Sequence, residues 1–277
     1  NSWYQRFRRR KGFSIRRRTS VGQKLPKGYE GMAWATLVKL REALAEVFEE
    51  LGNMDQTPVQ QEMPVETTLE ETGAKDARIA TGGEKKERFT LCLSVIADGK
   101  KNSIAWEILP ANRSAKGYPA GGMSFGVLEK SWCDLRECKI WTKDRWKLRP
   151  NNGSIIKQCP CILVLDDFKC HKDEAFIAEL KRQANTIVIL IPGGLTPLLQ
   201  PLDRMLNKQM KRLLRGIYTR HQASAQADPK TGKLKPPGPR LVAKWCKEAW
   251  ASITPETVKT CFKICGLTLA LDGSEDH

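Results

Sequence analysis

No apolar run in this chain approaches the roughly 20 residues that a membrane-crossing helix needs. No secretory signal is visible at its start. Nine cysteines in 277 residues are too few for a disulfide scaffold, and the number is odd. Cys159-Pro-Cys161, Cys170-His171 and Cys261-x3-Cys265 hint at metal, but none has the paired spacing of a zinc module. Reduced, mostly buried thiols in an intracellular protein are expected. No internal repeat is visible. The first 28 residues contain no acid at all. The chain opens with Asn1 rather than Met, and a fragment of a longer protein is the expectation.

What is present points to a polyanion. Lys and Arg number 47 against 31 acidic residues, for a formal charge of +16. Residues 1–28 carry ten of those cations, including Arg8, Arg9, Arg10, Lys11, Arg16, Arg17 and Arg18. Charge concentrated in this way suits nucleic acid or an acidic surface, although a solvated targeting tail would look the same. The chain is 40% hydrophobic, enough for one large domain with a small appendage.

Within 1–28, Trp3, Phe7 and Phe13 are the apolar points of a short basic helix, too few for a core. Met32, Leu37, Leu40, Leu44 and Phe48 recur at helical spacing and predict an amphipathic helix over 33–50. Residues 53–110 read as strands, with Arg78–Thr81, Phe89–Ala97 and Ile104–Leu109 as the segments. The Gly- and Pro-rich run 113–126 reads as loop. A helix is expected over 131–147, where Trp132, Leu135, Cys138, Trp141 and Trp146 suit core packing. Cys161–Leu165 is a buried strand, a helix follows over 173–184, and TIVILI (186–191) is a second buried strand. A long helix is expected from Leu202 to Arg220. Residues 221–240 form a polar, Pro-rich linker, and helices over 241–252 and 255–264 close the chain, the latter capped by Thr254.

Three carboxylates are the candidate chemistry. Asp55 lies in GNMDQTPV, where an Asp before Thr-Pro is often an ordinary turn residue. Asp166 and Asp167 close the apolar strand, where ligands bind in open α/β sheets. Neighbouring side chains on a strand oppose each other, so only one of the two can face a site. Asp203 lies three residues before Leu206 in the stripe Leu206, Met210, Leu213, Leu214, Ile217, which places it on the core-facing side of the helix or simply makes it a cap. An early carboxylate, one ending a central strand and one opening a late helix are the layout of ribonuclease-H-like nucleases. Such a set holds two divalent cations, and oxygen ligands favour Mg²⁺ or Mn²⁺ over Zn²⁺. His171 lies near Asp166 and reads as a phosphate contact or as a loop histidine without a role.

NMDQTPV, GAKDARIATGGEKKERFTLCLSVIADG, LVLDDFKCH and IPGGLTPLLQPLDRMLNK resemble the DDE endonuclease domain of pogo/Tigger-type transposases, in the mariner-like superfamily that includes centromere-protein-B-like proteins. WCKEAW…CFKICGLTLALDGSED is similar to that family's C-terminal tail. SWYQRFRRRKGFSIRRRT resembles the end of a centromere-protein-B-type helix-turn-helix domain. The resemblance implies an α/β fold, a ribonuclease-H-like mixed sheet flanked by helices, with a basic helical remnant of the helix-turn-helix domain at its N-terminus. It divides the chain into that remnant and arm (1–28), a connecting helix (29–50), the endonuclease core (51–220), a linker (221–240) and a helical tail (241–277). It assigns Asp55, Asp166 and Asp203 as the triad, choosing Asp166 over Asp167. It implies Mg²⁺-dependent DNA cleavage and joining, binding of transposon ends and a nuclear location. Two departures stand out: Gln56 takes a position where an acid is common, and KKNSIAWEILPANRSAKGYPAGGMSF replaces a Lys-Leu-Pro-Pro stretch and an aliphatic strand. The functions expected are therefore a two-metal endonuclease and strand transferase, or a domesticated, catalytically silent DNA-binding protein; a scaffold binding RNA or protein through the basic arm is a third reading. The partners expected are DNA and a second copy of the chain, with no membrane.

Overall fold

The computed structural model describes residues 25–47, 50–63, 88–102, 106–110, 124–128, 134–150, 160–270 and 274. The basic arm residues Arg8, Arg9, Arg10, Lys11, Arg16, Arg17 and Arg18, the strand expected over Arg78–Thr81, and Cys159 lie outside the described residues.

The chain runs α1 (Tyr29–Val47), β1 (Glu50–Gln60), β2 (Arg88–Ile96), β3 (Trp106–Pro110), β4 (Ser124–Leu128), α2 (Leu135–Asp144), β5 (Cys161–Leu165), α3 (Glu174–Ala184) and β6 (Thr186–Leu190). A short α4 (Thr196–Leu199) and a five-residue π turn (Leu202–Leu206) lead into α5 (Asn207–Ser224), and α6 (Pro239–Ala251) and α7 (Pro255–Ile264) follow. The strands form one mixed sheet in the order β4-β3-β2-β1-β5-β6. β1 is antiparallel to β2 and parallel to β5, and β6 continues the parallel half. Among the described residues no helix is long and apolar enough to cross a membrane.

The central strands bury both faces, and their alternation sorts side chains into two cores. Ile162 and Val164 of β5 join Leu51, Leu91 and Leu93 against α5, α6 and α7. Cys161, Leu163 and Leu165 face the other way and join Met54, Trp141, Trp146 and Phe176. The approach there is close enough that a Cβ at Gly52 would overlap the Trp146 ring. Beneath β1 lies a dry ion pair. Arg149 Nε donates to Glu50 Oε2 at 2.7 Å, and the Arg149 Nη1 donates to the Ala184 carbonyl. Its guanidinium also stacks over Trp146.

Two expectations need correction. Residues 124–126, read as loop, belong to β4, which pairs in parallel with β3. The Asp55-Gln56-Thr57-Pro58 stretch is not a turn but the middle of β1. β5 pairs only with Glu50–Asn53, so the second half of β1 has β2 on one side and, among the described residues, no strand on the other. A proline is tolerated on such an edge because its missing N–H removes no ladder bond.

Lys100–Asn102, within the segment that departs from the family pattern, ties the tail to the sheet. Lys101 Nζ donates to the carbonyls of Trp250, Ala251 and Ile253, placing a cation at the negative end of α6. The Trp250 indole donates to the Asn102 carbonyl at 3.0 Å. The buried thiols are free cysteines, and burial raises Cys261 to about 11 and Cys265 to about 12.

Candidate active site

The parting of β1 from β5 after Asn53 opens a gap at the carboxyl end of β5, and polar side chains fill it. Asn53 points toward α5 from β1. Its Nδ2 donates to the Val164 carbonyl at 2.8 Å and to Gln200 Oε1 at 2.9 Å, while its Oδ1 accepts from the Leu202 N–H. Gln200 in turn donates to the Met54 carbonyl. Asn53 and Gln200 are both fully buried. This closed network fastens the segment carrying Asp203 to the strand carrying Asp55.

Asp55, two residues after Asn53, occupies the same face of β1 and is buried. Asn207 Nδ2 donates to Asp55 Oδ2 at 2.5 Å and to Asp203 Oδ1 at 2.9 Å, so one amide bridges two carboxylates. The Asn207 Oδ1 is buried with no hydrogen-bond partner. Burial pushes the Asp55 carboxyl well above its usual range. The charge of Asp203, a hydrogen bond to Asp203 and the charge of Asp166 add to that rise, and the bond from Asn207 opposes it.

Asp203 is exposed rather than core-facing. An α-helical register back to 203 would turn Asp203 inward, but Leu202–Leu206 is a π turn. The extra residue per turn rotates Leu202 into the buried place. The buried row is then Leu202, Leu206, Met210 and Leu214, and Asp203 begins the row beside it.

Asp166 and Asp167, just past the end of β5, diverge. Asp166 Oδ1 lies 2.6 Å from His171 Nδ1. Asp167 turns outward to Lys172 at 3.0 Å, an exposed pair. His171 is not an idle loop histidine. It is 1% exposed, sits on the turn Lys169–Lys172 between Phe168 and Phe176, and brings Nε2 to 3.5 Å from the Gln56 amide. Gln56 reaches it because it faces opposite to Asp55 on β1. Asp55 and Asp203 thus meet through Asn207, and Asp166 stands close enough to act on Asp55 by its charge. Among the described residues no three His, Cys, Asp or Glu side chains are gathered closely enough to hold a metal ion.

Counting by two from Asp55 reaches Asn53, and counting by four from Asp203 reaches Asn207. Those spacings were legible, but amides were not weighed beside acids. Gln200 and the inward turn of His171 had no sequence signal.

The profile of the DDE superfamily endonucleases matches residues 80–262. The chain belongs to that family. Asp166 and Asp203 of this DDE endonuclease domain lie within the match, and Asp55 lies before it. The domain is 29% identical over 278 residues to the human (Homo sapiens) protein "Pogo transposable element with KRAB domain", covering 99% of this chain and 45% of that protein. The mouse (Mus musculus) protein of the same name is 28% identical with the same coverage, so the chain spans less than half the length of both. Its fold is that of the Mos1 strand transfer complex (TM-score 0.59, 12% identity, 96% of this chain and 67% of that one). The catalytic domain of Mos1 mariner transposase superposes with a TM-score of 0.51 at 13% identity, over 90% of this chain and 94% of that one. Mos1 paired end complexes have been solved with Mn and with Mg.

The raised Asp55 carboxyl makes a checkable expectation for the metal-free domain. A group whose folded pKa lies above its unfolded value contributes stability below the unfolded pKa, and loses it as pH rises through the folded one. Stability is therefore expected to fall as pH climbs from the ordinary carboxylate range through the raised pKa of Asp55. Asp55→Asn flattens that fall. Thermal melts of both proteins in chelator across pH would show it, and parallel curves would refute it.

Proposed function

We propose that this domain is transposase-derived and cleaves and joins DNA, with Asp55, Asp166 and Asp203 holding two divalent cations, Mg²⁺ or Mn²⁺. The observation that carries the reading is the meeting of Asp55 and Asp203 on one amide, from parts of the chain about 150 residues apart, with the charge of Asp166 in reach. The donor set fits such cations. It consists of oxygens, one acid is held above its usual pKa by burial and by the charge of Asp203, and the Asn207 Oδ1 lacks a partner. A bound pair supplies a more acidic attacking water, or an activated 3′-OH in strand transfer, and stabilises the departing 3′ oxygen.

The chain's own residues do the positioning. The Asn53–Gln200 network holds Asp203 opposite Asp55. Asn207 keeps two like-charged groups adjacent by donating to both. His171 orients Asp166. Cutting or nicking of supercoiled plasmid with Mg²⁺ or Mn²⁺, lost in Asp166→Ala, tests the reading. DNA binding without cleavage under either metal would instead favour the silent DNA-binding protein. The Asp166–His171 contact, which occupies that carboxylate, favours this second reading.

DNA is the proposed partner, and a nuclear location follows from that role. Deleting residues 1–28 removes ten cations and is expected to weaken binding alike on unrelated sequences. Each lost phosphate contact should flatten the log–log salt dependence by roughly 0.9 on duplex DNA. Titrations of both proteins at several salt concentrations would decide it, and unaltered binding would place the DNA surface elsewhere.

A further inference from the structure

Asp203, Asn207, Lys211 and Arg215 follow one another at four-residue intervals, so they form one row along α5. The row changes sign along its length, from a carboxylate through a neutral amide to two cations. It runs beside the second half of β1, which among the described residues no strand covers on that side. There the two elements enclose a cavity of about 240 Å³, lined by Val59, Gln60, Met63, Arg88, Lys211 and Arg215. Arg88 enters it from the start of β2, directly opposite Gln60 in the ladder. Among the described residues no carboxylate pairs with Arg88, Lys211 or Arg215. Lys211 is held half-buried, where burial lowers its pKa and the charges of Asp203 and Asp55 oppose that fall. A cation kept partly out of water gains from a ligand anion that meets it.

We propose that Lys211, Arg215 and Arg88 form a phosphate track that leads a DNA strand into the carboxylate site, an inference that rests on the reading of this domain as DNA-cleaving. The helical rise of about 1.5 Å per residue puts Lys211 roughly 12 Å and Arg215 roughly 18 Å along α5 from Asp203. A duplex strand advances about 3.4 Å per nucleotide, so these distances span roughly three to five nucleotides. An acidic peptide would meet cations at one end of the row but be repelled at the other. A DNA strand carries its anions at a fixed interval, and at the acidic end its phosphate would be met by cations if the carboxylates hold them as proposed.

The test is binding of a labelled mixed-sequence duplex and of labelled oligothymidylate across a range of salt. Lys211→Gln and Arg215→Gln are each expected to flatten the log–log slope by about 0.9 on duplex and about 0.7 on single strands. The double variant should lose about twice that, equally on unrelated sequences. Lys181→Gln, on α3 across the sheet, should leave the slope unchanged. Arg215 is exposed, so its variant keeps the test sound if Lys211→Gln disturbs folding. Unchanged slopes in the folded variants, or an equal loss in Lys181→Gln, would overturn the track while leaving the nuclease reading intact. Failure of the unaltered protein to bind either DNA would remove both.

Discussion

Asp203→Asn is expected to abolish metal-dependent DNA cleavage while leaving DNA affinity unchanged or raised. The substitution keeps the size and shape of the side chain, and its amide oxygen can still accept the bond from Asn207. What disappears is one full negative charge from a set of three. Loss of a residue that merely supports a metal ligand costs about 10–100-fold, so loss of a ligand itself should exceed 100-fold. Binding has no such dependence. Asp203 is exposed at the acidic end of the row that carries Lys211 and Arg215, and removing an anion there lessens repulsion of phosphate. Single-turnover cleavage and equilibrium binding of one duplex by both proteins would separate the effects. A large fall in affinity, with cleavage falling only in proportion, would make Asp203 a structural residue.

The second large effect falls on stability. Arg149→Met should destabilise the fold by about 3–5 kcal/mol, because it leaves Glu50 charged, buried and without its cation. Both side chains are almost fully inaccessible, 0% and 2% exposed, and they meet at 2.7 Å beneath the strand that carries Asp55. Replacing both partners, as in Glu50→Gln with Arg149→Met, should recover much of the loss, since no charge then remains buried. Urea unfolding of the two single variants and the double would measure this. If the double variant is as unstable as the sum of the singles, the pair has no special standing. The expectation would then shift to the stacking of Arg149 on Trp146.

These residues also show what could be read before the fold was in hand. Cys161–Leu165 was legible because a strand covered on both faces leaves no choice but apolar residues, and Thr254 declared the start of α7 by capping chemistry. The family resemblance also placed the sheet within a ribonuclease-H-like fold. β1 was hard to read because Asp-Gln-Thr-Pro carries turn residues, and only the short reach of β5 makes Pro58 acceptable in a strand. The exposure of Asp203 depended on a single turn of altered winding, for which apolar spacing has no marker. His171 was undecided because a lone histidine beside an acid looks the same in a loop as in a packed turn.

The Asn53–Gln200 lock has a mechanical consequence. It joins two of the three acid-bearing segments, tied through backbone groups on β1, on β5 and at Leu202. Asp166 sits just beyond the joined stretch, on a connection held by His171 and a local turn. If the trio closes on cations as proposed, that movement would have to come from the Asp166 side, where the carboxylate is held by His171.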